Sequence, residues 1–226
     1  MKILLTGANG YIGMRLLPEL LENGHDIICA VRDKNRLPLD PETTKKVTVI
    51  EVDFAEEVNT ASFPKDIDAA YYLIHSMSGS TRNFDEIEAR SAENFNKYMA
   101  TTSVKQVIYL SGIINQEELS KHLSSRKKVE EILYKGNYHL TVLRAGIVVG
   151  SGSSSFEIIR DLCEKLPIMI APKWLKTKIQ PIAIRDVIAF LSGVLDNEKC
   201  FDKSFDVGGP DVLTYKEMLM KYSKIR

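Results

Sequence analysis

Cysteine is scarce in this chain: Cys29, Cys163 and Cys200 lie far apart, and no Cys-x-x-Cys or cysteine/histidine ligand spacing joins them. That argues against a structural zinc site and against a disulfide framework, and no metal is expected. Excess charge is missing as well. Thirty basic residues are balanced by thirty acidic ones, which leaves no general attraction for a nucleic-acid backbone or an anionic membrane. The run Arg126-Lys127-Lys128 is followed at once by Glu130 and Glu131 and reads as a solvated helix face. Long apolar runs are absent: the longest, residues 187–195, holds Ser192 and Gly193 and falls far short of the roughly 20 residues that span a bilayer. At the amino end, Met1-Lys2-Ile3-Leu4-Leu5-Thr6 meets glycines before the apolar part of a signal peptide is complete, so a cytoplasmic location is expected. There is no internal repeat and no low-complexity tract.

What is present is a rhythm. Ile3-Leu4-Leu5 is a short apolar run ending in glycines, as in a strand buried on both faces. Ile12, Leu16, Leu17, Leu20 and Leu21 then recur at helical spacing, and Asn23-Gly24 closes that helix. Pro18 inside it removes a backbone donor and predicts a bend. Further strands are predicted over residues 26–31, 47–52, 68–74, 105–110 and 139–143, with helices over 83–101 and 123–134. Alternation of this kind predicts an α/β fold with a doubly wound parallel sheet. Beyond Gly150 the pattern changes to a serine/glycine loop (151–155), a helix near 156–166 and a proline-rich segment (167–181) with the lone tryptophan. Two more helices, from Arg185 and Thr214, flank a short strand near 204–207. One domain spanning 1–226 is expected, with 151–226 as a small C-terminal appendage on the substrate side.

The chemistry-bearing motif comes first in the chain. Thr6-Gly7-Ala8-Asn9-Gly10-Tyr11-Ile12-Gly13 places three glycines at GxxGxxG spacing between a strand and a helix. Gly7 permits a sharp turn, Gly10 lets backbone approach a pyrophosphate, and Gly13 lets the helix pack close to the strand. The helix N-terminus offers free N–H groups and partial positive charge to the anion. Such a cradle, at residue 6 of an alternating chain, predicts a dinucleotide-binding Rossmann fold. The second strand ends Ala30-Val31-Arg32-Asp33. A guanidinium at Arg32 suits the 2′-phosphate of NADP, whereas a carboxylate at Asp33 can accept from the 2′-hydroxyl of NAD. NADP is the expected cofactor, with NAD as the alternative. Asp53, after the third strand, can accept from an adenine amino group or cap a turn.

With these residues in place, the sequence resembles the short-chain dehydrogenase/reductase (SDR) superfamily, in particular its atypical branch, close to extended members and NmrA-like proteins. The opening glycine motif is similar to the TGxxGxxG of extended and atypical members. Tyr72-Leu73-Ile74-His75-Ser76-Met77 resembles a segment of one atypical subgroup. Leu143-Arg144-Ala145-Gly146 through Gly150 looks like the sixth-strand motif. Gln180-Pro181-Ile182-Ala183-Ile184-Arg185-Asp186-Val187 and Gly208-Gly209-Pro210-Asp211-Val212-Leu213-Thr214-Tyr215 resemble two C-terminal motifs.

The resemblance also marks a departure. Extended members carry Tyr-x-x-Ser-Lys-x-x-x-Glu, whereas this chain reads His122-Leu123-Ser124-Ser125-Arg126-Lys127-Lys128-Val129-Glu130. Serine and glutamate match; tyrosine has become histidine and lysine has become arginine. In the family the tyrosine handles the proton, the lysine lowers its pKa and holds ribose, and a serine or threonine at the fifth strand orients substrate. Ser111 matches that last position. His122 and Arg126 share a helix face, so His122 is a candidate general acid or only a polar helix-start residue, and Arg126 a ribose or phosphate ligand or a solvent-facing residue. His75 is placed near the dinucleotide path, where it contacts ribose or bonds to backbone. Trp174 is a candidate pocket lid or a packing residue, and Tyr71 and Tyr72 read as core. Two functions follow as expectations: an NADP(H)-dependent oxidoreductase or epimerase-like enzyme on a small carbonyl, quinone or sugar-derived substrate, or a non-catalytic dinucleotide sensor that binds a protein partner.

Overall fold

The computed structural model describes residues 1–75, 84–113, 121–153, 156–157, 160–161 and 173–225. Most of the predicted helix near 156–166 and residues 167–172 of the proline-rich segment lie outside them, as do the side chains of His122 and Trp174.

Seven parallel strands form the centre: β1 (Lys2–Thr6), β2 (Asp26–Val31), β3 (Val47–Glu51), β4 (Ala69–Tyr72), β5 (Gln106–Gly112), β6 (His139–Ala145) and β10 (Lys203–Val207). Their order is β10-β6-β5-β4-β1-β2-β3, so the chain runs outward one way from β1 through β3 and then crosses back to β4. The reversal falls between β1 and β4, the point at which open α/β sheets take ligands beyond the carboxyl ends of their strands. Short pairs complete the structure: β7 (Val148–Val149) with β9 (Ile182–Ala183), and β8 (Lys178–Ile179) with β11 (Leu213–Thr214).

Alternation along β1 shows why the sheet is covered on both faces. Ile3 and Leu5 point into a core with Leu16, Leu17 and Leu20 of α1 (Gly13–Glu22) and with Val187, Ile188 and Leu191 of α5 (Ile184–Gly193). Leu4 points the other way, with Ala92, Phe95 and Tyr98 of α3 (Phe84–Met99) and Val129, Ile132 and Leu133 of α4 (Lys121–Leu133). Tyr71 and Tyr72 are core, as expected, one on each face. Tyr71 donates to the Leu191 carbonyl at 2.9 Å, and Tyr72 packs edge-on to Phe95 and Tyr109. Residues beyond 150 contribute to both the sheet and its cover, through β10 and α5, and end in α6 (Tyr215–Ile225).

Local chemistry sets the boundaries. α1 ends in a Schellman arrangement: Gly24 adopts φ 76°, its N–H reaches the Leu21 carbonyl, and the His25 N–H reaches the Leu20 carbonyl. α2 (Pro41–Lys46) was not expected from apolar periodicity. Asp40 accepts from the Glu42 and Thr43 amides and Pro41 presets the first turn, so capping alone starts this short exposed helix. The C-terminal motifs lock together. A Cβ on Gly146 would lie 2.3 Å from the Gln180 carbonyl, and one on Gly209 2.4 Å from that of Pro181. Gln180 in turn donates to the Gly209 carbonyl at 2.7 Å. Glycine is required there because backbones touch.

Candidate nucleotide site

β1 delivers the glycine turn to the sheet's carboxyl edge. Gly7 sits at φ 63°, and a Cβ there would come within 2.6 Å of the Leu73 carbonyl on the neighbouring segment. A Cβ on Gly13 would lie 2.4 Å from the Gly7 carbonyl, so α1 can approach the turn only with glycine at its first position. Gly10 is exposed, and its nearest constraint is the Gly7 carbonyl at 3.1 Å. The Gly10 amide closes the turn on that carbonyl, while the amides of Tyr11, Ile12 and Gly13 have no partner among the described residues. Ile12, at the cap position, gives α1 no side-chain cap. Bare amides at the head of a ten-residue helix beside an open glycine are the donor set that a diphosphate takes, and the residues present fit that group.

The side chains of the motif divide their work. Thr6 is fully buried; its hydroxyl donates to the Tyr71 carbonyl at 2.9 Å and accepts from the Leu73 amide at 3.0 Å, which fastens β1 to the segment after β4. Asn9 is exposed at the turn. The Tyr11 ring lies under the Arg15 guanidinium, 3.9 Å from its carbon, and Arg15 donates to the Tyr11 and Ser151 carbonyls. The Tyr11 hydroxyl is buried without a partner among the described residues, and a Cβ on Gly150 would come within 2.6 Å of it. Arg15 was not singled out from sequence; it ties the cradle to the 151–153 loop.

Past β2, Arg32 is exposed and has no hydrogen-bond or ion-pair partner among the described residues, whereas Asp33 accepts from the Asn35 amide at 2.9 Å and caps a short turn. Asp53 likewise accepts from the Ala55 amide at 2.9 Å, the turn-capping alternative.

On the other side of the switch point lie the residues matched to catalysis. Ser111, near the end of β5, is 3% exposed, and among the described residues its hydroxyl has no hydrogen-bond partner of normal geometry. The Tyr109 hydroxyl lies near the Arg126 carbonyl at 3.4 Å. Burial raises the Tyr109 pKa, with the Arg126 charge and the Ser111 hydroxyl working against that rise. The Arg126 guanidinium reaches back to the Leu110 carbonyl at 3.1 Å. His122 lies on α4, one turn before Arg126; its side chain is outside the described residues. The two matched positions of the departed motif have clear contacts. Glu130 forms a two-point ion pair with Arg144 of the sixth-strand motif, at 2.5 and 3.2 Å. Ser125 donates to Glu88 of α3 at 2.5 Å, and Glu88 accepts at its other oxygen from His75 at 2.9 Å. His75 therefore bonds to a carboxylate, a partner that local sequence did not suggest. Glu88 lies thirteen residues from His75, and nothing in the pattern of α3 marks it out.

Among the described residues no group of His, Cys, Asp and Glu is placed to hold a metal, and no helix is long and apolar enough to cross a membrane.

Known proteins resemble this chain in sequence and in fold. Residues 7–158 match a family described as NAD(P)H-binding. Two curated relatives are the chloroplastic divinyl chlorophyllide a 8-vinyl-reductases of Arabidopsis thaliana and Oryza sativa subsp. indica, each 21% identical. The matches cover 92% of this chain and 53% and 54% of those proteins, so the chain spans about half the length of the curated relatives it matches. Among solved structures, UDP-glucuronic acid 4-epimerase from Bacillus cereus in complex with NAD superposes with a TM-score of 0.80 at 17% identity, covering 100% of this chain and 84% of that one. UDP-glucose 4-epimerase from Thermotoga maritima, with UDP-glucose, gives 0.77 at 16% identity, with 100% and 82% covered. The fold is thus the Rossmann type, shared with these two 4-epimerases. The chain belongs to the NAD(P)H-binding family.

Proposed function

We propose that this protein is an NADP(H)-dependent oxidoreductase or epimerase-like enzyme acting on a small carbonyl, quinone or sugar-derived substrate. The observation that carries the reading is the pairing of a bare-amide cradle with a buried Ser111 hydroxyl that makes no hydrogen bond of normal geometry among the described residues, across one switch point. A polar group left dry inside a protein costs about 1–3 kcal/mol, so an unpartnered hydroxyl at a ligand edge argues for a polar ligand there. The amides of Tyr11, Ile12 and Gly13 hold the diphosphate. Arg32, free to move over the ribose, takes a 2′-phosphate, because the Asp33 carboxylate already caps its own turn. When bound, the nucleotide supplies or accepts hydride; Ser111 orients the reacting oxygen of the substrate.

One contact favours the alternative of a non-catalytic sensor with a protein partner. Arg126 replaces the family lysine and donates to the Leu110 carbonyl, and it cannot act as a proton donor. The small-molecule reading is preferred because the Ser111 hydroxyl is kept buried at that edge. Calorimetric titration with NADP(H) and NAD(H), repeated on Arg32→Ala, tests the assignment. The expected outcome is NADP preference in the wild type and its loss in the variant; an unchanged preference would remove NADP from the reading.

A further inference from the structure

The described residues place a hydrogen-bonded row, His75–Glu88–Ser125, at the carboxyl edge of the sheet, which the motif comparison did not supply. His75 follows β4 at the sheet's carboxyl edge. β4 and β5 are paired with Tyr72 beside Tyr109, so His75 leaves β4 from the same strand end at which Ser111 stands two residues further along β5. The imidazole Nδ1 faces Glu88 Oε1 at 2.9 Å, and Ser125 holds Glu88 Oε2 at 2.5 Å. Glu88 is 5% exposed at its side chain and His75 24%. Three separate segments, the loop after β4, α3 and α4, converge to make this row.

A carboxylate can only accept, so the neutral ring that faces it carries its proton on Nδ1 and leaves a lone pair on Nε2. No described residue bonds Nε2. The Phe84 ring packs edge-on against the imidazole at 6.1 Å, which limits its rotation. Histidine held through one nitrogen by a carboxylate, with the other nitrogen exposed, is an arrangement suited to giving and taking protons. His139 makes the same type of pair, with Asp202 at 2.7 Å, but it begins β6 at the opposite, amino edge, where its partner is 58% exposed. The buried version stands at the ligand edge.

We propose that His75 is the proton-carrying group of this site, with Glu88 and Ser125 as its positioning residues, and that it fills the role for which the chain has no tyrosine. The inference rests on the reading of the site as a nicotinamide-dependent enzyme. In reduction of a bound carbonyl, the imidazolium Nε2–H bond breaks and an O–H bond forms at the substrate oxygen. The reduced nucleotide, when bound, would supply the hydride that forms the new C–H bond at the carbonyl carbon as the C=O π pair moves to the oxygen taking the proton, and would end oxidised. His75 ends neutral, still bonded to Glu88 through Nδ1–H, and regains its proton at Nε2 from water.

The test is ¹⁵N spectroscopy of the histidine rings in the full chain, with and without saturating NADP⁺. At mildly alkaline pH the His75 ring should hold its proton on Nδ1 alone. Glu88→Gln should convert it to a tautomer mixture, and Ser125→Ala should do so partially. Added NADP⁺ should shift His75 Nε2 and leave His139 unmoved. In NADPH oxidation with a carbonyl and quinone panel, His75→Gln should lose ~10²–10⁴-fold in turnover without a change in NADP⁺ affinity. An Nε2-protonated ring, an Nε2 that ignores bound NADP⁺, a wild type that turns over none of the panel, or a His75→Gln variant as fast as wild type overturns the inference, with nucleotide binding intact. If neither NADP⁺ nor NAD⁺ binds at all, the reading beneath it falls as well.

Discussion

Gly7 and Gly24 both adopt positive φ, yet the structure assigns them different costs of substitution. Nothing lies within 4 Å of a Cβ built on Gly24, so Gly24→Ala should lose only the backbone term, about 1 kcal/mol. At Gly7 a Cβ would also press on the Leu73 carbonyl, and Gly7→Ala should cost about 2–4 kcal/mol as strain and overlap combine. Urea denaturation of the two variants side by side checks the ordering; equal losses would contradict it. Arg32 belongs to the same scale. A charge-assisted bond to a phosphate contributes about 1.5–3 kcal/mol, so Arg32→Ala should weaken NADP⁺ binding ~10–100-fold and leave NAD⁺ nearly untouched, by calorimetry. The turn at Gly7, the close approach at Gly13 and the place of Arg32 past β2 were legible in the sequence, because each follows from a turn or a strand end a few residues away. The roles of Glu88 and Arg15 were not. Their partners are His75, Ser125 and the Ser151 carbonyl, brought close only by the packing of separate elements.

At the scale of elements, α4 is tied to the sheet by the Glu130–Arg144 pair. The Glu130 side chain is 7% exposed and that of Arg144 28%, so removing the arginine leaves a carboxylate mostly cut off from water. Arg144→Met should destabilise by about 3 kcal/mol, the lower end of what a broken buried pair costs, given the exposure of Arg144. Chemical denaturation measures this, and a loss below about 1 kcal/mol would place the pair among surface contacts. Element types were readable where apolar residues repeat, as in β1, α1 and β5. The two-stranded pairs β7–β9 and β8–β11 were not, since two-residue strands carry no period, and α2 was missed because Asp40 and Pro41, not apolar periodicity, define it. The matched glutamate of the departed motif was readable as a position but not as the partner of Arg144.

The whole molecule holds several weak acids away from water. Burial pushes the Cys29 thiol and the Tyr98 hydroxyl up to about 12, and raises Tyr71, Tyr72 and Tyr138 as well. In the unfolded chain a thiol ionises near ~8.5 and a tyrosine near ~10. Above those values the native state binds more protons than the unfolded one, so stability falls as pH rises. The urea midpoint should therefore hold through neutrality and decline from about pH 9 upward. A midpoint that rises over that range would contradict the burial of these groups. Cys29, protonated and enclosed, should also resist alkylation in the native state while the partly exposed Cys200 reacts.

Nucleotide binding at this sheet edge requires the head of α1 to act as an anion site. The most direct measurement follows the backbone amide resonances of Tyr11, Ile12 and Gly13 while NADP⁺ is added. Saturable shifts at these three amides, with slower hydrogen exchange, are the predicted result; amides that stay unchanged at saturating NADP⁺ and NAD⁺ alike would contradict it.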